Sequence, residues 1–162
     1  MSEHRLFPLI VLLAAAAVLG AALASQYWGG LRPCVLCLYQ RYPYAIVIAL
    51  MALAAGLGES RTALALLVAT GLVFLVGAGI GTYHVGVEQQ WWAGTAECGN
   101  TESADTVEAL RAKLLGRAPV RCDEVAWSLF GISMAGYNVL ASLGLAGFAG
   151  WAAQRLRKAR GS

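Results

Sequence analysis

The sequence predicts an all-α membrane protein: an up-down bundle of four transmembrane helices, with a short amphipathic helix in the longer of two loops on one side. Three observations carry this. Four long stretches free of Asp, Glu, Lys and Arg run through the 162 residues. The chain is 59% hydrophobic and 13% charged, with mean hydropathy +0.62, whereas a soluble domain of this size carries about twice that charge. The connection Gly58-Glu59-Ser60-Arg61 is too brief for anything but a hairpin, so the stretches flanking it lie antiparallel. Residues 1–162 read as one integral membrane domain without a separate soluble module, low-complexity tract or repeat.

The first charge-free stretch, Leu6 to Leu31, predicts a span over about 7–28, closed by Tyr27 and Trp28 as interfacial anchors. The second, Tyr42 to Gly58, is short and predicts a span over about 42–58. The third, Thr62 to Val87, predicts 62–83, and the fourth, Val125 to Gln154, predicts 126–151. A bilayer core of about 30 Å needs roughly 20 apolar helical residues, which all but the second exceed. Gly77 with Gly81, and Gly131 with Ala135, form small-xxx-small pairs that would let backbones approach closely. Loops of about 29–41 and 85–125 remain on one side. In the longer loop, Asp105 and Glu108 open an amphipathic stretch. Val107, Leu110, Leu114 and Leu115 share one helical face there, Arg111, Lys113 and Arg117 come late, and Gly116 is a stop.

Four spans put both termini and the Gly58 hairpin on one side. Lys and Arg are evenly divided between the two sides, but Arg155, Arg157, Lys158 and Arg160 crowd beside the last span, whereas the long loop is net acidic. The positive-inside rule therefore puts the termini in the cytoplasm. The net charge of +3 adds nothing beyond that tail, and nothing in it points to a nucleic-acid partner. Ala22-Leu23-Ala24 before Ser25 mimics a signal-peptidase site. The apolar run is longer than the roughly 7–15 residues of a signal h-region, so it is expected to remain as a span.

All four cysteines fall in the two loops of the other side, which puts them in an oxidising compartment where an even number of thiols is expected to pair. Cys34 and Cys37 form Cys-Val-Leu-Cys directly after Pro33. A bond between them closes a tiny loop and adds little chain-entropy stabilisation, which favours redox chemistry. Half of a zinc site or a local structural disulfide are the alternatives. The first wants a second close Cys or His pair, which Cys98, Cys122 and the isolated His84 do not supply. Leu38 in place of His excludes c-type haem attachment. Cys98 and Cys122 bracket the amphipathic stretch, either as a structural staple or as a second exchangeable pair. Arg41 lies one helical turn from Cys37 if this segment is helical. There it would favour the Cys37 thiolate and donate to an anionic oxygen, or else snorkel at the span end. With Pro43 just beyond, the segment is either helical from Cys34 with a kink or irregular before the span.

Pro33-Cys34-Val35-Leu36-Cys37-Leu38-Tyr39-Gln40-Arg41-Tyr42-Pro43-Tyr44 resembles the first active-site segment of the disulfide bond formation protein B (DsbB) family, a membrane oxidase of the bacterial periplasm. Tyr83-His84-Val85-Gly86-Val87-Glu88-Gln89 with Trp91 and Trp92 is similar to the stretch entering that family's second periplasmic loop. Cys122 to Trp127 and Phe130 to Asn138 resemble its entry to the last span.

The resemblance implies a protein of the bacterial inner membrane with periplasmic cysteine loops, and it assigns roles. Cys98 and Cys122 would form the disulfide that reoxidises a soluble thioredoxin-like, DsbA-like thiol oxidase, with Cys98 the sulfur attacked. Cys34 and Cys37 would reoxidise that pair. Cys37 would pass two electrons to a membrane quinone, ubiquinone or menaquinone, with Arg41 beside the quinone oxygen and His84 nearby. A DsbA-like partner poised near about −120 mV needs a stronger acceptor still, and a lipid-dissolved quinone meets that demand. Trp91 and Trp92 read as interface anchors, Gln40 is given no role, and Trp127 and Asn138 read as packing. Two other functions compete: a vitamin K epoxide reductase-like thiol-quinone enzyme, whose cysteine order fits less well, and a non-catalytic membrane scaffold or metal-handling protein whose disulfides or thiolates are structural.

Overall fold

The computed structural model describes residues 3–98, 107–108, 111, 115 and 120–160. Among them are four long helices: α1 (Glu3–Tyr27), α3 (Arg41–Leu57), α4 (Arg61–Glu88) and α5 (Met134–Ala159). A short helix α2 (Val35–Tyr39) leads into α3. A two-stranded hairpin, β1 (Ser128–Leu129) with β2 (Ile132–Ser133), leads into α5. Apolar runs rich in Ala and Leu become helix because lipid leaves backbone groups no partners but their own.

The boundaries have local causes. α1 stops before Gly30, whose φ of +68° suits glycine. α3 ends at Gly58, also left-handed, and the Ser60 hydroxyl then accepts from the Ala63 N–H at 2.9 Å to start α4. The segment around Cys37 is helical, with a break at Gln40 rather than a kink at Pro43. Pro43 occupies the first turn of α3, where its missing N–H costs no intrahelical bond.

Among the described residues, three segments are long and apolar enough to cross a membrane: Glu3–Tyr27, Val35–Leu57 and Arg61–Glu88. The helix corresponding to the fourth expected span, α5, is as long but less apolar, with Tyr137 and Asn138 in its first turns. It also begins later than expected. Residues 128–133 form the hairpin, turning through Phe130 (φ 50°) and Gly131 (φ 77°), and the Ser133 hydroxyl caps α5 by accepting from the Gly136 N–H. Gly131 is therefore a turn residue with open space around it, and Gly131 with Ala135 is not a helix-packing pair. The third span runs on through Glu88, which places His84 inside a helix. The amphipathic helix expected from Asp105 to Gly116 lies largely outside the described residues.

The long helices pack in the order α1 on α3, α3 on α4 and α4 on α5, with α1 closing against α5. Phe7 meets Phe148 and Trp151 edge-on at 6.1 and 5.5 Å. The core holds Val11, Tyr44, Val47, Met51, Leu67 and Phe74, with Ala149, Ala152 and Ala153 letting α5 approach. Gly77 and Gly81 are a packing seam: a Cβ on Gly77 would lie 3.2 Å from Pro43, and one on Gly81 would lie 2.8 Å from Val139. Glu3 pairs with Arg155 at 2.7 Å, and His4 lies 3.5 Å from Glu59. These contacts put the start of α1, the end of α5 and the α3–α4 hairpin at one end and the cysteines at the other.

Candidate functional site

Cys34 is the N-cap of α2, and its sulfur accepts from the Cys37 N–H at 3.3 Å. The same cap-to-first-turn spacing brings the two sulfurs to 2.8 Å, a thiol-thiol hydrogen bond in a reduced pair. The two sulfurs, unbonded in this structure, are close enough to join with little movement, and the sequence expectation is that they pair. Cys98 ends a 3-10 turn (Ala96–Cys98) and forms a disulfide with Cys122, Cα to Cα 5.2 Å. Cys34, Cys98 and Cys122 belong to one buried cluster with Leu36 and Val87, against which the partly buried Cys37, Tyr83 and Val120 pack. Two loops far apart in sequence thus deliver four sulfurs to one apolar setting.

His84 joins them from α4. Its Nε2 lies 3.5 Å from the Cys34 Sγ and 3.9 Å from a Glu88 carboxylate oxygen, while Nδ1 lies 2.7 Å from the Gln40 side-chain amide. Gln40, buried at the α2–α3 break, in turn accepts from the Asn138 Nδ2 of α5 at 2.6 Å. Glu88 accepts from the Ser133 hydroxyl. In the reduced pair, hydrogen bonding from Cys37 holds the Cys34 thiol well below the ordinary thiol range. Burial opposes this, and His84 adds to it.

Arg41 departs from its expected contact. Its guanidinium donates to the Gln26 side chain at 2.6 Å and the Ala22 carbonyl at 3.3 Å, both on α1, so its hydrogen bonds do not go to Cys37. The surroundings favour the Cys34 thiolate, held by the Cys37 hydrogen bond and His84. Arg41 nevertheless lines the cavity that Cys34, Cys37 and His84 line, a space of about 520 Å³ with apolar walls including Val18, Leu19, Leu31 and Ala135. This volume is within the usual range for small-molecule pockets. The donor atoms of Cys34, Cys37 and His84 lie within 4.8 Å of one another, close enough in principle for a metal.

The sequence as a whole decides the family. The model for "Disulfide bond formation protein DsbB" matches residues 4–152. The chain belongs to the disulfide bond formation protein B family. It is 36% identical over 155 residues to Disulfide bond formation protein B of Methylococcus capsulatus, covering 86% of this chain and 90% of that one. It is 33% identical over 146 residues to the protein of the same name from Xanthomonas oryzae pv. oryzae, covering 85% and 83%. No solved structure matches. Family membership supports a membrane oxidoreductase of disulfide bond formation.

Within this family member, Gln40, Glu88, Ser133 and Asn138 form a hydrogen-bonded surround of His84 that sequence patterning did not indicate; the expectation is no role for Gln40 and packing for Asn138. The available signal was polarity: an amide at the start of an otherwise apolar span is costly and calls for a function. Trp91 and Trp92 are both exposed, and Trp92 has local contacts as well. It stacks on Tyr83 at 5.9 Å, donates to the Tyr83 carbonyl and covers Gly86. Trp127 faces Tyr137 at 6.1 Å, in keeping with packing. Cys98 is fully buried although Thr95, Ala96 and Glu97 before it are exposed, and Glu97 accepts from the Tyr39 hydroxyl at 2.6 Å, tying the two loops together.

Proposed function

We propose that the chain is a quinone-linked thiol oxidase that reoxidises a periplasmic thioredoxin-like, DsbA-like dithiol oxidase. The single observation that carries this reading is the gathering of both cysteine pairs at one buried cluster beside an apolar cavity that also reaches Arg41 and His84. A structural staple would need neither the second pair nor the cavity.

The chemistry runs by exchange. The partner's thiolate attacks Cys98, breaking the Cys98–Cys122 bond and forming a mixed disulfide. The partner's second thiol resolves it, leaving the partner oxidised and Cys98 and Cys122 as a dithiol. That dithiol reduces a Cys34–Cys37 disulfide in the same way. Cys34 and Cys37 then re-form their bond, with Cys37 facing the acceptor, and yield two electrons and two protons to a quinone substrate, giving quinol. The cavity suits such a substrate: apolar walls for the ring and tail, and the Arg41 guanidinium as a planar donor to a carbonyl oxygen. Because Cys98 is buried, the partner's attack requires the Ala96–Cys98 turn to move outward, loosening the Tyr39–Glu97 tether.

In this reading α5 is a fourth span, the termini are cytoplasmic beside Arg155, Arg157, Lys158 and Arg160, and the cysteine loops face the periplasm of a bacterial inner membrane. The test is anaerobic incubation of purified protein with a reduced thioredoxin-like dithiol partner and ubiquinone or menaquinone, following quinol absorbance. Stoichiometric quinol and oxidised partner are expected. A partner that stays reduced with either quinone overturns the proposal.

A further inference from the structure

The hydrogen-bond chain behind His84 has a direction. The Asn138 Nδ2 can only donate, so the Gln40 Oε1 accepts at 2.6 Å, and the Gln40 amide nitrogen is left to face the imidazole at 2.7 Å. An amide N–H₂ has no lone pair to offer, so Nδ1 must be the accepting nitrogen. A neutral His84 therefore carries its proton on Nε2, the nitrogen that lies 3.5 Å from the Cys34 sulfur. Glu88 faces that proton from 3.9 Å and is already engaged by Ser133, and the Cys122 backbone carbonyl also accepts from the ring, so the Cys34 sulfur and that carbonyl are the acceptors beside the imidazole. Gln40 and His84 are both buried, so water does not readily scramble the arrangement.

We propose that Asn138 and Gln40 are positioning residues that fix His84 as its Nε2–H tautomer, so that the imidazole donates to Cys34 and stabilises the reduced form of the Cys34–Cys37 pair. Stabilising the reduced form makes the corresponding disulfide a stronger oxidant. The three side chains, contributed by the α2–α3 break, α4 and α5, thereby tune the pair that must oxidise Cys98 and Cys122. The same orientation disfavours a resident metal on Cys34, Cys37 and His84. A metal would need the Nε2 lone pair and a proton on Nδ1, and the Gln40 amide offers no acceptor to a proton there.

This inference deepens the thiol-oxidase reading, and its test needs neither quinone nor partner, so either can fail alone. The chain has two histidines, His4 and His84, and ¹⁵N-histidine labelling with a His4→Gln control assigns the spectrum. The reduced full-length protein should show His84 protonated at Nε2 and unprotonated at Nδ1 at neutral pH. In parallel, the wild-type protein, Gln40→Leu and Asn138→Leu are equilibrated with glutathione, and the Cys34–Cys37 peptide is read by differential alkylation and mass spectrometry. Each variant should shift that equilibrium toward disulfide by about tenfold, which is about 30 mV, while the Cys98–Cys122 equilibrium stays put. The unmoved second pair distinguishes tuning from general loosening of the fold. An Nδ1–H tautomer in wild type, an unchanged Cys34–Cys37 equilibrium in both variants, or stoichiometric zinc binding through the His84 Nε2 would each overturn the proposal.

Discussion

Replacing Gly81 with alanine should cripple this protein, while the same change at Gly79, two residues earlier on α4, should not. A Cβ on Gly81 would sit 2.8 Å from the Val139 Cγ2, 3.1 Å from the Asn138 Nδ2 and 3.5 Å from the Gln40 Oε1. One on Gly79 meets nothing within 4 Å. Both substitutions gain about 1 kcal/mol of helix propensity, so that contribution cancels between them. What remains is the overpacking at Gly81, about 1–3 kcal/mol, because Val139 belongs to α5 and can yield only if the two helices part. For a chain of this length the variants should therefore differ in melting temperature by about 2–12 °C, with Gly81→Ala the lower. The added methyl also crowds the 2.6 Å Asn138–Gln40 hydrogen bond, so Gly81→Ala should lose partner-linked quinol formation even well below its melting temperature. Thermal unfolding in detergent and quinol absorbance measure the two effects. Equal melting temperatures and equal turnover for the two variants would refute the claim that α4 and α5 meet through Gly81.

Three further outcomes are expected. In Cys122→Ala, Cys98 can be oxidised only by exchange with the Cys34–Cys37 disulfide, so with a partner lacking its second cysteine a Cys98–partner mixed disulfide should accumulate on non-reducing gels as Cys34 and Cys37 are released as thiols. Cys98→Ala should give none, and both should lose turnover, whereas full turnover in Cys98→Ala would reduce the Cys98–Cys122 disulfide to a staple. Arg41→Ala and Arg41→Lys should raise the quinone KM by about 10- to 100-fold, the worth of a hydrogen bond from a charged donor, while partner exchange at Cys98 is unchanged; an unaltered KM in both would leave Arg41 as a tie to Gln26 and Ala22 of α1. Since the Cys34 thiol is held below its ordinary value, its thiolate persists as pH falls through the range where a free thiol protonates, and is lost only when pH falls through the depressed value. Iodoacetamide labelling of Cys34 in the reduced protein should therefore stay nearly flat from about pH 8 to pH 6, where a free thiol slows about tenfold per pH unit; the free-thiol profile would contradict the geometry.

Much of this molecule was legible in its residues because lipid imposes simple rules. The charge-free runs marked the long helices, Gly58 to Arg61 marked the hairpin, and the contacts of Glu3 with Arg155 and His4 with Glu59 bring the outer ends of α1 and α5 beside that hairpin. The Cys-x-x-Cys motif marked one pair of sulfurs for redox chemistry, while spacing left Cys98 and Cys122 as a staple or an exchangeable pair and the family resemblance supplied their expected role. Boundaries governed by single caps were less legible. Nothing in an unbroken apolar run said that Phe130 and Gly131 would turn left-handed and delay α5 to Met134. The hydrogen-bond partners of Arg41, Gln40 and Asn138 could be read only in three dimensions. Residue type states what a side chain can donate or accept, but its partner depends on which helix the fold brings beside it. Gln40 and Asn138 are 98 residues apart in sequence and meet at 2.6 Å because Gly81 on α4 leaves room for their contact.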